Sequence, residues 1–341
     1  MLKLKNILPF ILILCGGLLI GYFIPHKNNS KKVEHASIAA ATFSTSLLNP
    51  LLPHYDQIGL DYTELKSFRN KIELHIQKEK SKHPDLFVSY YFRDLNNGLW
   101  TGINERETFS PASLFKVPIM ITLLKRAQTD DKVWTMGVEF SKEVVGDVPE
   151  ESGFKKEEGK FYTIDDLLTQ MIVHSDNAAS LLLLQFLGDS AVMKVIDELN
   201  MHVGAKFHET TSFVTVKAYA GILRILYNAS YLNKEMSERA LNLLTQATYN
   251  KGIRAGIPAH IKVAHKYGKR DETLIGGKLH NLQLHHFGLV FHPKKPFILG
   301  IMTRGADVET KTKIIKELTE ITYKEIENQL ADERKNEVFV E

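Results

Sequence analysis

The residues best placed to do chemistry lie in Phe109-Ser-Pro-Ala-Ser113-Leu-Phe-Lys116-Val-Pro-Ile-Met120. From Leu114 to Leu124 the only charged residue is Lys116, and all others but Thr122 are apolar. A segment apolar on nearly every side reads as a helix buried in a large core. Lysine is almost never fully buried without a partner. Ser113 stands three residues earlier, and positions i and i+3 share a helix face. Hydroxyl and amine can therefore meet, as a serine nucleophile with a lysine base beside it. The start of a buried helix also favours a developing oxyanion.

Ser-x-x-Lys alone is a weak signal, and Ser152-Gly-Phe-Lys155 matches it too. That second copy lies among Glu150, Glu151, Lys156, Glu157 and Glu158 and reads as a solvated loop. Two more clusters stand out. Ser175-Asp176-Asn177 is pinned between Met171-Ile-Val and the run Leu181–Leu184, at the junction of two buried helices. Its bland role is capping, which suits Asp176; Ser175 and Asn177 are left to face a cleft. Lys266-Tyr267-Gly268 closes a strand-like stretch, where a lysine is ordinarily solvated.

Positioning these groups falls to elements at both ends of the chain. Residues 63–82 read as a helix, with apolar positions at Leu65, Phe68, Ile72, Leu74 and Ile76. Leu86–Leu95 and Leu99–Ile103 read as strands around the hairpin signal Asn96-Asn97-Gly98. A central helix is expected from about 113 to 127, then irregular surface over 129–162. Thr163 with Asp166 three residues on resembles a capping box opening Ile164–Val173. Helices follow at Ala178–Leu187, 190–199, 215–228 and 234–247. Strands return at His260–Tyr267, Gln283–His292 and Pro296–Arg304, before a final helix over 309–330. Strands at both ends with helices between imply an α+β fold: an antiparallel sheet with flanking helices formed by both chain ends, plus an all-α part.

Taken in order, the three clusters resemble the Ser-x-x-Lys, Ser-Asp-Asn and Lys-Thr-Gly set of class A β-lactamases and penicillin-binding serine hydrolases. Thr163–Leu187 resembles that family's helix pair, Val263–Gly268 its active-site edge strand, and His286–Phe291 with Phe297–Arg304 its last two strands. The resemblance covers roughly residues 62–330 and implies a β-lactamase/transpeptidase-like fold that forms an acyl-serine. It implies Ser113 as nucleophile, Lys116 as base and Ser175 as proton relay to the leaving nitrogen. Asn177 would bind the substrate amide, and Lys266 its carboxylate, within a substrate-binding stretch that includes Tyr267, Gly268 and Lys269. The N–H groups of Ser113 and Lys269 would form the oxyanion hole. The expected substrate is a β-lactam or a peptidoglycan peptide ending like D-Ala-D-Ala, with no cofactor.

Two departures bear on turnover. The family's Glu-x-x-Leu-Asn, which positions the deacylating water, does not occur in 200–213. Glu198 directly precedes Leu199 on a helix, and Glu209 is the only other acid nearby. Tyr267 replaces a small hydroxyl residue. Slow β-lactam hydrolysis is therefore expected. The alternatives are a D,D-carboxypeptidase or related peptidoglycan peptidase, and a non-catalytic wall-binding domain. A zinc hydrolase is disfavoured despite 14 histidines, because His285 and His286 would face opposite sides of a strand and no metal-binding spacing occurs.

Composition fits this reading. Apolar content of 44% and a net charge of +3 are ordinary for a globular chain and show no nucleic-acid footprint. Five of the 43 basic residues (Lys3, Lys5, Lys27, Lys31 and Lys32) lie in the first 32, without an acid; the remainder is near neutral. A single cysteine, Cys15, forbids an intrachain disulfide. Residues 7–24 carry no charge and would span about 27 Å as a helix, enough for a membrane anchor. The expected organisation is an anchor or signal segment over 1–24, a linker over 25–61, the hydrolase domain over 62–330 and a tail over 331–341. The hydrolase would be a monomer facing the extracytoplasmic side.

Overall fold

The computed structural model describes residues 63–146, 157–201, 212–270, 274–275, 278–279 and 282–338. Helix α1 (Thr63–Lys82) is followed by β1 (Phe87–Asp94), β2 (Trp100–Ile103) and the short β3 (Thr108–Phe109). A 3-10 turn over Ala112–Phe115 leads into α2 (Lys116–Ala127). The next stretch holds a 3-10 turn at Asp131–Thr135, β4 (Gly137–Glu139), α3 (Lys142–Val145) and β5 (Phe161–Thr163). The helical part continues with α4 (Ile164–Val173), α5 (Asn177–Leu187) and α6 (Asp189–Glu198). After β6 (Val214–Thr215) come α7 (Val216–Tyr227), α8 (Lys234–Thr245) and α9 (Ile253–Gly256). The chain closes with β7 (Val263–Arg270), β8 (Leu274–Ile275), β9 (Lys278–Leu279), β10 (Gln283–Val290), β11 (Phe297–Arg304) and α10 (Val308–Val338).

Five strands form one antiparallel sheet in the order β2-β1-β11-β10-β7. Both chain ends thus build it, and among the described residues β7 is an edge strand. Alternation of side chains sends each strand's apolar residues to both faces. Ala264, Phe287, Leu289, Ile298 and Met302 join a core shared with α2 and the other middle helices. Val263, Leu284, Val290, Leu299 and Ile301 join a second core under α1 and α10. Val117, Ile119, Met120, Ile121, Leu123 and Leu124 of α2 are at most 2% exposed, so the helix up to Leu124 is buried on all sides as its composition predicts. At about 1.5–3 kcal/mol per fully buried large apolar side chain, this helix is a main stabiliser of the fold.

Several expectations need adjustment. The α-helix begins at Lys116, and Ser113 sits in the preceding 3-10 turn. Ala112 in that turn has φ +48°, a left-handed conformation costly for alanine. The stretch 129–162 is not wholly irregular, because β4 pairs with β5. β7 starts later than expected and runs on to Arg270, since Lys266 to Arg270 continue the ladder on β10. The triplet therefore lies in mid-strand. Leu74 is 66% exposed and does not belong to the buried face of α1. Helix α10 runs beyond residue 330 to Val338. Among the described residues no single helix is long and apolar enough to cross a membrane. The apolar stretch 7–24, the linker, Ser152–Lys155 and Glu209 lie outside the described residues.

Candidate active site

Three separate parts of the chain meet where the edge of β7 passes the turn that starts α2. Gly268 makes the approach possible: a Cβ there would stand 2.9 Å from the carbonyl oxygen of Pro111 and 3.1 Å from the nitrogen of Leu114. Tyr219 on α7 fastens the turn from below, its hydroxyl donating to the carbonyl of Leu114 at 3.0 Å. Ser113 stays partly exposed at the mouth of a cleft of about 300 Å³.

Ser175-Asp176-Asn177 is held at the α4–α5 junction by its own chemistry. Asp176 caps α5, accepting from the amide of Ala179 at 2.7 Å. Thr163 caps α4 through the amide of Asp166 at 3.1 Å, and its hydroxyl donates to that residue's carboxylate at 2.7 Å. The amide of Thr248 bonds the carbonyl of Val173 at 3.0 Å and pins the end of α4. Ser175 itself has φ +59°. A non-glycine residue held in this region costs energy, and such residues cluster at functional sites.

Lys116, Ser175 and Lys266 are 4%, 5% and 3% exposed. Lys266 Nζ donates to Ser175 Oγ at 2.7 Å. Lys116 Nζ lies 3.4 Å from the same oxygen, donates to Asn177 Oδ1 at 2.6 Å, and reaches the Ser175 carbonyl. The hydrogen bonds seen for Lys116 thus cross to the second cluster, whereas i, i+3 spacing suggested Ser113 as its partner. Burial, and then the charge of Lys116, hold the Lys266 ammonium well below the usual lysine range.

The triplet divides between the two faces of β7. Lys266 and Gly268 face the nucleophile's turn, while the ring of Tyr267 packs against the second core. It stacks on Tyr249 with centroids 3.8 Å apart and planes at 15°. The Lys266 ammonium stands over the Tyr267 ring, 5.0 Å from its centroid. Lys269 and Asn177 do line the cleft, with Ser113 and Lys116. Glu198 lies elsewhere, on α6, bonded by the hydroxyl of Tyr231.

Sequence reasoning missed the supports behind the nucleophile. His285 Nδ1 accepts from the amide of Thr303 at 3.3 Å, which leaves Nε2–H to donate to the carbonyl of Ser110 at 2.9 Å. Gln283 Oε1 accepts from the amide of Ser110 at 3.1 Å. On the other face, His286 Nδ1 accepts from Ile253, and Nε2–H donates to His265 Nδ1 at 3.1 Å. Adjacent histidines therefore do face opposite sides, each fully occupied as a hydrogen-bonding core residue. Burial first of all pushes His265 down to about 4 and His285 to about 3, and it holds His286 well below its usual value. Only the period-two alternation along β10 hinted at this. A separate grouping of His75, Glu79 and Glu317 could hold a metal ion by distance, but it lies between α1 and α10, on other elements than the cleft.

This arrangement can be compared with known proteins. A variant of PBP-A, solved as its acyl-enzyme complex with penicillin G, is 19% identical with a TM-score of 0.64; the match covers 76% of this chain and 97% of that one. A β-lactamase from Chitinophaga pinensis is 18% identical with a TM-score of 0.65, covering 75% and 100%. The TLA-3 extended-spectrum β-lactamase is 18% identical with a TM-score of 0.66, covering 75% and 98%. At these identities the likeness establishes the β-lactamase/transpeptidase-like fold. No curated protein matches the sequence significantly. The model of the beta-lactamase enzyme family matches residues 70–326, most of the chain and all three clusters, and the chain belongs to that family.

Proposed function

We propose that this serine hydrolase opens β-lactams, or cleaves D-Ala-D-Ala-like amides, through an acyl-enzyme on Ser113. The observation that carries the proposal is the convergence of Lys116 and Lys266 on the hydroxyl of Ser175, beside the accessible Ser113. Ser113 Oγ attacks the amide carbonyl, and its proton passes to the Lys116 amine. The oxyanion that develops is met by the N–H groups of Ser113 and Lys269. As the C–N bond breaks, the proton reaches the leaving nitrogen through Ser175. Lys266 holds the substrate carboxylate, and Asn177 its amide. Two ammonium groups on one hydroxyl disfavour each other's charge, so the pair gives up a proton readily.

We further propose that deacylation is slow. Among the described residues lining the cleft there is no carboxylate to activate water. The same observation favours a second reading, a penicillin-binding peptidase that releases D-Ala from peptidoglycan peptides. Both substrates are met outside the cytoplasm, which supports an extracytoplasmic domain tethered by residues 7–24. Fluorescent penicillin tests the proposal: covalent label that persists for minutes on wild type and is missing from Ser113→Ala is the expected result. No label on the wild type overturns it. Rapid loss of label refutes the slow step alone, and D-Ala release from a pentapeptide distinguishes the peptidase.

A further inference from the structure

The strand that carries Lys266 carries a second cation on the same face. Side chains alternate along a strand, so Lys266, Gly268 and Arg270 all turn toward the nucleophile's turn. At about 3.3 Å per residue, Lys266 and Arg270 are about 13 Å apart along β7, with Ser113's turn packed against Gly268 between them. Arg270 Nη1 donates to Ser110 Oγ at 2.8 Å, which aims the guanidinium at the far side of the turn. Arg270 lines the cleft with Lys269 and Lys116, and no described lining residue is acidic. The wall between α2 and α5 is apolar, made by Phe115, Ile119, Leu181 and Leu184.

The polarity of the site says which half of a substrate meets which cation. Lys266 stands on Ser175, the group that would protonate the leaving nitrogen, so the leaving half lies at that end. The acyl half then extends along β7 toward Arg270. We propose that the preferred substrates carry two carboxylates, one on each side of the scissile amide, with an apolar body next to the acyl-side carboxylate. Lys266 takes the first carboxylate and Arg270 the second. This inference rests on the acyl-serine reading above.

Benzylpenicillin and its α-carboxy derivative differ by this one acyl-side carboxylate and form the test pair. Acylation rate constants are measured by intact-mass quench on the full-length chain in detergent. The expected result is acylation about tenfold faster by the dicarboxylate at low salt, the gain of one charge-assisted contact, and an advantage that shrinks as salt rises. Arg270→Gln should bring the ratio of the two rates toward one, and Arg270→Lys should keep most of it. A wild type labelled equally by both overturns the proposal and leaves the acyl-serine reading standing. So does an Arg270→Gln variant that slows both equally, since Arg270 would then act only through Ser110. Labelling by neither penicillin overturns the acyl-serine reading and this inference with it.

Discussion

Ser175 Oγ and Lys266 Nζ lie 2.7 Å apart although 91 residues separate them in sequence. Lys116 approaches the same oxygen from a third part of the chain. Two buried ammonium groups on one hydroxyl cannot both be charged cheaply, so the pair titrates as a unit. Replacing Lys266 by Gln removes a neighbouring cation and lets the remaining lysine keep its proton to higher pH. The rising limb of acylation rate against pH should therefore move upward, and the rate at neutral pH should fall by about 10–100-fold. A stopped-quench profile from pH 5 to 10 checks this; a limb that stays or moves downward contradicts it.

Gly268→Ala tests the approach of strand and turn. The added methyl would meet backbone atoms of Pro111 and Leu114 at 2.9 and 3.1 Å, neither of which is a movable side-chain end. The turn must shift, and a displacement near 1 Å at a nucleophile costs about 100-fold. Acylation should slow by that order while far-ultraviolet dichroism keeps its native form. A variant acylated within threefold of wild type would show that the edge has room.

Tyr267→Thr restores the small hydroxyl usual in the family. Because the Tyr267 ring packs on Tyr249 and against the second core, the change should not raise penicillin turnover. It removes a stacked aromatic pair worth about 1 kcal/mol beyond its buried area. Thermal unfolding should drop by several degrees, and nitrocefin hydrolysis should stay level. Faster hydrolysis would mean that Tyr267 reaches the substrate after all.

The buried histidines make the fold sensitive to acid. His265 lies near Arg254 and Lys266, His285 near Lys311, and His286 near His265 and Lys266, so a proton on any of them meets positive charge as well as burial. Their folded values lie below the unfolded value of about 6.5. Stability is whole above that value and is lost as pH falls from about 6.5 toward 4 for His265 and toward 3 for His285. At pH 5 each should cost about 2 kcal/mol. The urea midpoint should fall steeply between pH 7 and 5; a flat profile would mean that these groups take up protons while folded.

Much of this was legible because it is local. The capping pairs Thr163–Asp166 and Asp176–Ala179 obey short-range rules, and the apolar run of α2 can only be buried. The three clusters were readable because their order and setting exclude most accidental matches. What stayed hidden depends on pairing between distant segments. Nothing near Lys116 says that its hydrogen bonds go to Ser175 and Asn177, and nothing near Tyr267 says that Tyr249 will face it. The strand's run to Arg270 follows from the ladder on β10, which also places Ser110 between His285 and Arg270.

The most direct measurement is peptide mass mapping of the full-length chain after brief exposure to benzylpenicillin. A single adduct of one intact penicillin on the peptide containing Ser113, missing from Ser113→Ala and strongly reduced in Lys116→Ala, is the predicted result. Hydrolysis of penicillin that survives in Ser113→Ala, or an adduct on another residue, would contradict an acyl-enzyme on Ser113.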